Sequence, residues 1–218
     1  MTSDSDSEQV GLESLVVGPL AENCHLLWCL RTHKAVIVDP GFDEVRILKV
    51  VRREQLDVEW VLLTHGHVDH VGAAAPVARE LGVPIAVHEA DQVILRAAPQ
   101  MAFMFGLVME QIPDPGRLLS DGDRIEVGDM VLETMHTPGH TPGGVSFLVQ
   151  GAGILLSGDT LFYRGVGRTD LPGGSWADLV HSIRSRLYVL DGDTKVLTGH
   201  GPSTTIAAER RMNPFVSG

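Results

Sequence analysis

The chain has 218 residues, 44% hydrophobic and 21% charged, which is enough for one domain with a substantial core. Its formal net charge of −11 argues against the broad basic surface that phosphate contacts need, and so against nucleic acid as a partner. Two cysteines, Cys24 and Cys29, are too few for a disulfide framework and favour a reducing compartment.

In chain order, the acidic and Ser-rich start, Met1 to Gln9, lacks the basic residues and apolar run of a secretory signal. Residues 1–10 are expected to form a disordered tail and residues 11–218 a single domain. No apolar run approaches the roughly 20 residues needed to span a bilayer, so a cytoplasmic protein without a membrane partner is expected. Strands are predicted at Ser14–Val17, His25–Leu30, Ala35–Val38, Val58–Leu63 and Pro84–Val87, where branched and apolar residues run between turn signals. Both cysteines fall in or beside one of these apolar runs. Helical spacing of apolar residues predicts helices over Glu44–Glu54 and Val71–Leu81, the second stopped by Gly82 before Pro84.

The run Met101–Met109 is rich in Met and Phe. It suits an adaptable pocket wall or a dimer contact, with ordinary core packing as the default expectation. Further strands are predicted at Arg124–Val127, Val131–Met135, Gly144–Val149, Ile154–Leu156 and Lys195–Leu197, and helices at Ser175–Tyr188 and Thr205–Met212. Two sets of strands with interleaved helices suggest an α/β protein with two face-to-face sheets and helices outside; a doubly wound single sheet is the alternative.

The segment His65-Gly66-His67-Val68-Asp69-His70 follows the apolar run ending at Leu63. At a strand end, such a segment can turn His65 and His67 toward one metal ion while Asp69 and His70 begin a helix facing another, with Gly66 making the turn tight. Three later elements flank a polar residue with glycine after a predicted strand: Gly139-His140, Gly158-Asp159 and Gly199-His200. Imidazole and carboxylate donors without thiolates suit Zn, with Fe or Mn as alternatives, at a catalytic rather than structural site. His25, His33, His88, His136 and His181 lack such contexts and are read as structural or surface residues.

The HxHxDH segment with the later GH, GD and GH elements resembles the metallo-β-lactamase superfamily, and most closely its glyoxalase II branch. The stretches Ser157–Phe162, Gly165–Gly174 and Glu209–Phe215 resemble the short, single-domain bacterial members. The resemblance implies a four-layer αβ/βα sandwich holding two divalent metal ions. It assigns His65, His67 and His140 to the first ion, Asp69, His70 and His200 to the second, and Asp159 as the bridge. It also gives Asp39 a supporting role beside a ligand histidine.

In such a site the metals lower the pKa of water to about 7, providing a hydroxide nucleophile that Asp69 orients. A thiolate leaves without much protonation, and no motif advertises a dedicated acid, which favours a thioester substrate. The branch implies hydrolysis of S-2-hydroxyacyl glutathione, such as S-lactoylglutathione. Arg168, with Tyr163 and Arg164 nearby, suits the binding of a substrate carboxylate. Tyrosines that longer members carry after Arg168 and His200 are replaced by Asp170 and Pro202, and their C-terminal helical region has no counterpart after Phe215. A strict preference for glutathione is therefore not expected. Competing readings are a single-iron persulfide dioxygenase of the same fold, a broad esterase, lactonase or β-lactamase, and an inactive scaffold. The partner is expected to be a small-molecule thioester, on a monomer or homodimer.

Overall fold

The computed structural model describes residues 10–218. Of the tail expected over residues 1–10, residues 1–9 lie outside the described residues, and Val10 belongs to the first strand instead.

Six strands form the first sheet in chain order: β1 (Val10–Val17), β2 (Glu22–Cys29), β3 (Lys34–Val38), β4 (Asp57–Leu62), β5 (Ile85–His88) and β6 (Arg117–Leu119). The first three pair antiparallel, while β3 to β6 pair parallel. Strand β2 is buried at every position, and β3 at all but its first, because layers cover both faces of this sheet. The parallel pairs need crossovers, supplied by α1 (Glu44–Arg53), by α2 (Val68–Val71) with α3 (Ala74–Leu81), and by α4 (Gln92–Met104).

The second sheet comprises β7 (Arg124–Val127), β8 (Met130–His136), β9 (Val145–Val149), β10 (Ile154–Gly158), β13 (Lys195–Thr198) and β14 (Thr204–Thr205), in the spatial order β14-β13-β10-β9-β8-β7. A small hairpin of β11 (Leu161–Phe162) and β12 (Gly165–Val166) stands apart. Helices α5 (Trp176–Ser182) and α6 (Ile206–Met212) follow. Each starts on a hydroxyl cap: Ser175 Oγ accepts from the Asp178 N–H and Thr205 Oγ1 from the Ala208 N–H.

Three cores account for four layers. Leu27, Val36, Val38 and Leu62 from one sheet meet Leu132, Phe147, Leu156 and Leu197 from the other. The outer face of the first sheet packs through Ile37 and Val61 on Ile47, Val77 and Leu95 of its helices. Leu155 and Val196 of the second pack on Leu179, Ile183 and Ile206. Two sheets, each covered by helices on its outer face, exclude the doubly wound alternative.

The structure also changes several local expectations. The helix predicted over Val71–Leu81 is two helices, because the Ala73 N–H is taken by the Pro40 carbonyl at 2.9 Å. The helix over Ser175–Tyr188 is α5 followed by a π-type turn at Ile183–Leu187. The Met- and Phe-rich run is not core: Phe103, Met104 and Val108 are 81%, 72% and 93% exposed. Cys24 and Cys29 are free, buried residues of β2. Among the described residues, no helix is long and apolar enough to cross a membrane.

Candidate metal centre

Four loops converge where the two sheets meet. The loop after β4 carries His65 and His67, α2 carries Asp69 and His70, and the loops after β8, β10 and β13 carry His140, Asp159 and His200. The imidazoles crowd together, with ring centroids of His65 and His70 4.1 Å apart and those of His67 and His140 4.6 Å apart. One donor atom from each of His65, His67 and His140 falls within 4.8 Å of the others, as do donors from Asp69, His70 and His200. Asp159 lies between, with Oδ1 at 3.2 Å from His70 Nε2 and Oδ2 at 3.5 Å from His140 Nε2.

Hydrogen bonds behind the rings fix three tautomers. His70 Nδ1 donates to Asp39 Oδ2 at 3.0 Å and His140 Nδ1 to the Arg168 carbonyl at 2.7 Å, since both acceptors lack protons. The Thr64 hydroxyl spends its proton on Asp39 Oδ2 at 2.5 Å and so accepts from His65 Nδ1 at 3.1 Å. Each of these rings therefore turns its Nε2 into the site, the usual arrangement of metal-ligating histidines. His65 Nε2, His70 Nε2 and Asp159 Oδ1 are buried there without hydrogen-bond partners. Buried polar atoms without partners are costly unless a metal ion, or on His70 a proton, satisfies them, so this donor set fits a metal.

The electrostatics agree. Burial, with the charge of His70, holds His65 well below the ordinary imidazole pKa, and burial next to His140 lowers His67 to about 4. Both rings are neutral near pH 7, the form that ligates. Burial disfavours charge on His70, but Asp159 and Asp69 overcome this and raise it. A divalent cation between those groups would take the place of that proton. Burial likewise works against ionised Asp69, yet the His70 charge and the hydrogen bond from His200 Nε2 at 3.1 Å keep its carboxyl below the carboxylate range.

A third triplet of nearby donors, Asp39 with His65 and His70, has a different meaning. Asp39 accepts from Thr64 N at 2.7 Å, from the Thr64 hydroxyl and from His70, so it orients ligands rather than pointing a free oxygen inward.

Two acidic residues escaped the sequence reading. Asp91, in the turn between β5 and α4, accepts from the Gly66 N–H at 2.9 Å and the Thr141 hydroxyl at 2.8 Å on Oδ2, and from the Gly143 N–H at 2.6 Å on Oδ1. It clamps the loop of His65 and His67 to the loop of His140. Glu22 is fully buried at the start of β2, with both oxygens unpartnered and Oε1 3.8 Å from His70 Nδ1; burial raises its pKa. Neither residue has flanking glycines that would have singled it out. Gly66 serves differently from expectation: its φ is not positive, and a Cβ there would stand 2.8 Å from the Leu95 backbone nitrogen of α4.

A cavity of about 460 Å³ opens over these groups, lined among others by His67, Asp69, His140, Asp159, Arg168 and His200. Arg168 is there, but its guanidinium is held by both oxygens of Asp170 at 2.7 Å. Tyr163 is about half exposed, stands outside the lining, and has the Arg164 guanidinium 5.7 Å from its ring centroid. Of the five histidines read as structural or surface, His25 is buried behind β13, bonded to Ser14 Oγ and the Thr198 carbonyl, and His88 stacks on His136 at 4.3 Å.

Fold and site define a metal-dependent hydrolase, and the chain belongs to the metallo-β-lactamase superfamily, whose family description matches residues 17–200. Its resemblance within that superfamily is to the glyoxalase II branch. The hydroxyacylglutathione hydrolase GloC of Haemophilus influenzae is 36% identical over 210 residues, covering 95% of this chain and 99% of that protein. Among solved structures, the B3 metallo-β-lactamase BLEG-1 superposes with a TM-score of 0.89 at 35% identity, over 95% of this chain and 100% of that one. TTHA1623, solved in a di-iron-bound form, gives a TM-score of 0.85 at 37% identity, over 94% of this chain and 100% of its own.

Proposed function

We propose that the chain is a glyoxalase II-like thioester hydrolase that holds two divalent metal ions, zinc or iron, and cleaves S-2-hydroxyacyl glutathione, such as S-lactoylglutathione, or a related acyl thiol. His65, His67 and His140 would hold one ion and Asp69, His70 and His200 the other, with Asp159 shared. The observation that carries this reading is the convergence of unpartnered His65 Nε2, His70 Nε2 and Asp159 Oδ1 in one buried spot. The 36% identity to GloC supports the choice of thioester.

When bound, such ions supply Lewis acidity toward a carbonyl oxygen and lower the pKa of water from 15.7 to about 7. The chain's own residues do the rest. Asp69, kept ionised, accepts a hydrogen bond from the attacking water and orients it toward the carbonyl carbon. Asp39, Thr64 and the Arg168 carbonyl hold the imidazoles in the tautomers that leave Nε2 free. A thiolate of parent pKa near 8.5 departs without a donated proton, so the site needs no separate general acid.

The test combines metal analysis with turnover of S-lactoylglutathione. Two ions per chain with thioester hydrolysis supports the proposal. One iron per chain, with oxygen consumed on glutathione persulfide and no thioester turnover, replaces it with the dioxygenase reading.

A further inference from the structure

The wall of the cavity facing the proposed metal ligands is apolar. Ile94, Ala98 and Met101 lie on one stripe of α4, Phe105 caps that helix, and Phe162 and Leu171 stand among the other lining residues. Met101 and Phe105 belong to the Met- and Phe-rich run, whose Phe103 and Met104 face solvent. Among the described residues, Arg168 is the one Arg or Lys in the lining, and Asp170 already cancels its charge through two hydrogen bonds of 2.7 Å. A glutathione moiety brings two carboxylates and no large apolar surface, so this wall offers it little. At about 460 Å³ the space lies in the range of sites that enclose drug-sized ligands, and a lactoyl group would leave most of it empty.

We infer that the site selects thioesters with an apolar acyl chain, which lies along α4 against Met101 and Phe105 while the carbonyl sits over Asp69. The inference rests on the thioesterase reading and narrows its substrate class. Unbranched Met and rotatable Phe side chains adapt to chains of different length, so a graded preference is expected rather than a single fitted acyl group. Water hydrolyses the bond as in the parent reaction: its oxygen bonds to the carbonyl carbon, the C–S bond breaks, the thiolate leaves with the bonding electron pair, and the two protons of the water pass to solvent or to the thiolate.

The experiment uses the metal-loaded full chain and S-acyl N-acetylcysteamine thioesters, whose thiol carries no charge, with acetyl, butanoyl and hexanoyl groups. The expected result is a rise in kcat/KM of about two- to fourfold per added methylene, the factor that burial of each group supplies. Met101→Ser is expected to cut the hexanoyl-to-acetyl ratio about tenfold, whereas Phe103→Ser on the outward face keeps it. A flat series with intact thioester turnover overturns the inference and leaves the thioesterase reading standing. Loss of turnover on every thioester, S-lactoylglutathione included, overturns both.

Discussion

Asp91 accepts a hydrogen bond from the Gly66 backbone N–H at 2.9 Å, and through it a turn after β5 sets the spacing of His65 and His67. The same carboxylate receives Thr141 and Gly143 from the loop of His140. Asp91→Ala leaves three donors without their acceptor, a cost on the order of 3 kcal/mol in stability. Metal affinity is expected to fall ten- to hundredfold, as for other residues that orient ligands from behind. Competition titration with a chelator and thermal unfolding measure the two effects.

Asp39 offers a sharper separation of the two proposed ions. Its Oδ2 receives both the Thr64 hydroxyl and His70 Nδ1, so Asp39→Asn forces an amide N–H against one of these donors or against the Thr64 N–H. The ion on Asp69, His70 and His200 is expected to be lost on dialysis before the other. Metal content should drop from two ions toward one per chain; retention of both would refute the role given to Asp39.

Close packing at Gly199 carries a similar consequence. A Cβ there would stand 2.2 Å from Asp159 Oδ1 and 2.8 Å from His70 Cε1, both in the heart of the site. Gly199→Ala is expected to lower activity more than tenfold with the circular dichroism spectrum unchanged. Full metal content and activity in that variant would contradict the geometry described.

Much of this was legible in the sequence, and the limits have physical causes. Strand β7 is legible because charged Arg124 and Glu126 alternate with apolar Ile125 and Val127, and the structure exposes the first pair and buries the second. The seven clustered residues were visible because glycines or a dense histidine segment mark each of them. Asp91 and Glu22 act on partners distant in sequence, so no local pattern announced them. Strands β6 and β14, of three and two residues, are too short to show a period. The run Met101–Met109 has core-like composition but forms a rim, since apolarity alone does not say whether a ligand or the fold covers it.

His25, which is not among the proposed ligands but bonds the Thr198 carbonyl behind them, makes a pH dependence testable. Burial lowers its pKa to about 4 from the ordinary imidazole value of 6.5, so between those pH values the unfolded chain binds a proton that the folded chain does not. Stability rises with pH across that window, and falling from pH 6.5 toward 4 removes on the order of 3 kcal/mol. Denaturant unfolding of chelator-treated protein at pH 7 and 4.5 reads the difference, and His25→Asn is expected to shrink it. An unchanged pH slope in the variant would assign the acid sensitivity elsewhere.

The most direct measurement is S-lactoylglutathione hydrolysis by protein of known metal content, before and after chelation and after metal is restored. Two ions per chain, turnover abolished by the chelator, and turnover regained on adding zinc or iron is the expected result. Thioester hydrolysis that survives complete removal of metal, or a fully loaded protein that cleaves neither S-lactoylglutathione nor any other acyl thiol, would contradict a thioester hydrolase built on His65, His67, Asp69, His70, His140, Asp159 and His200.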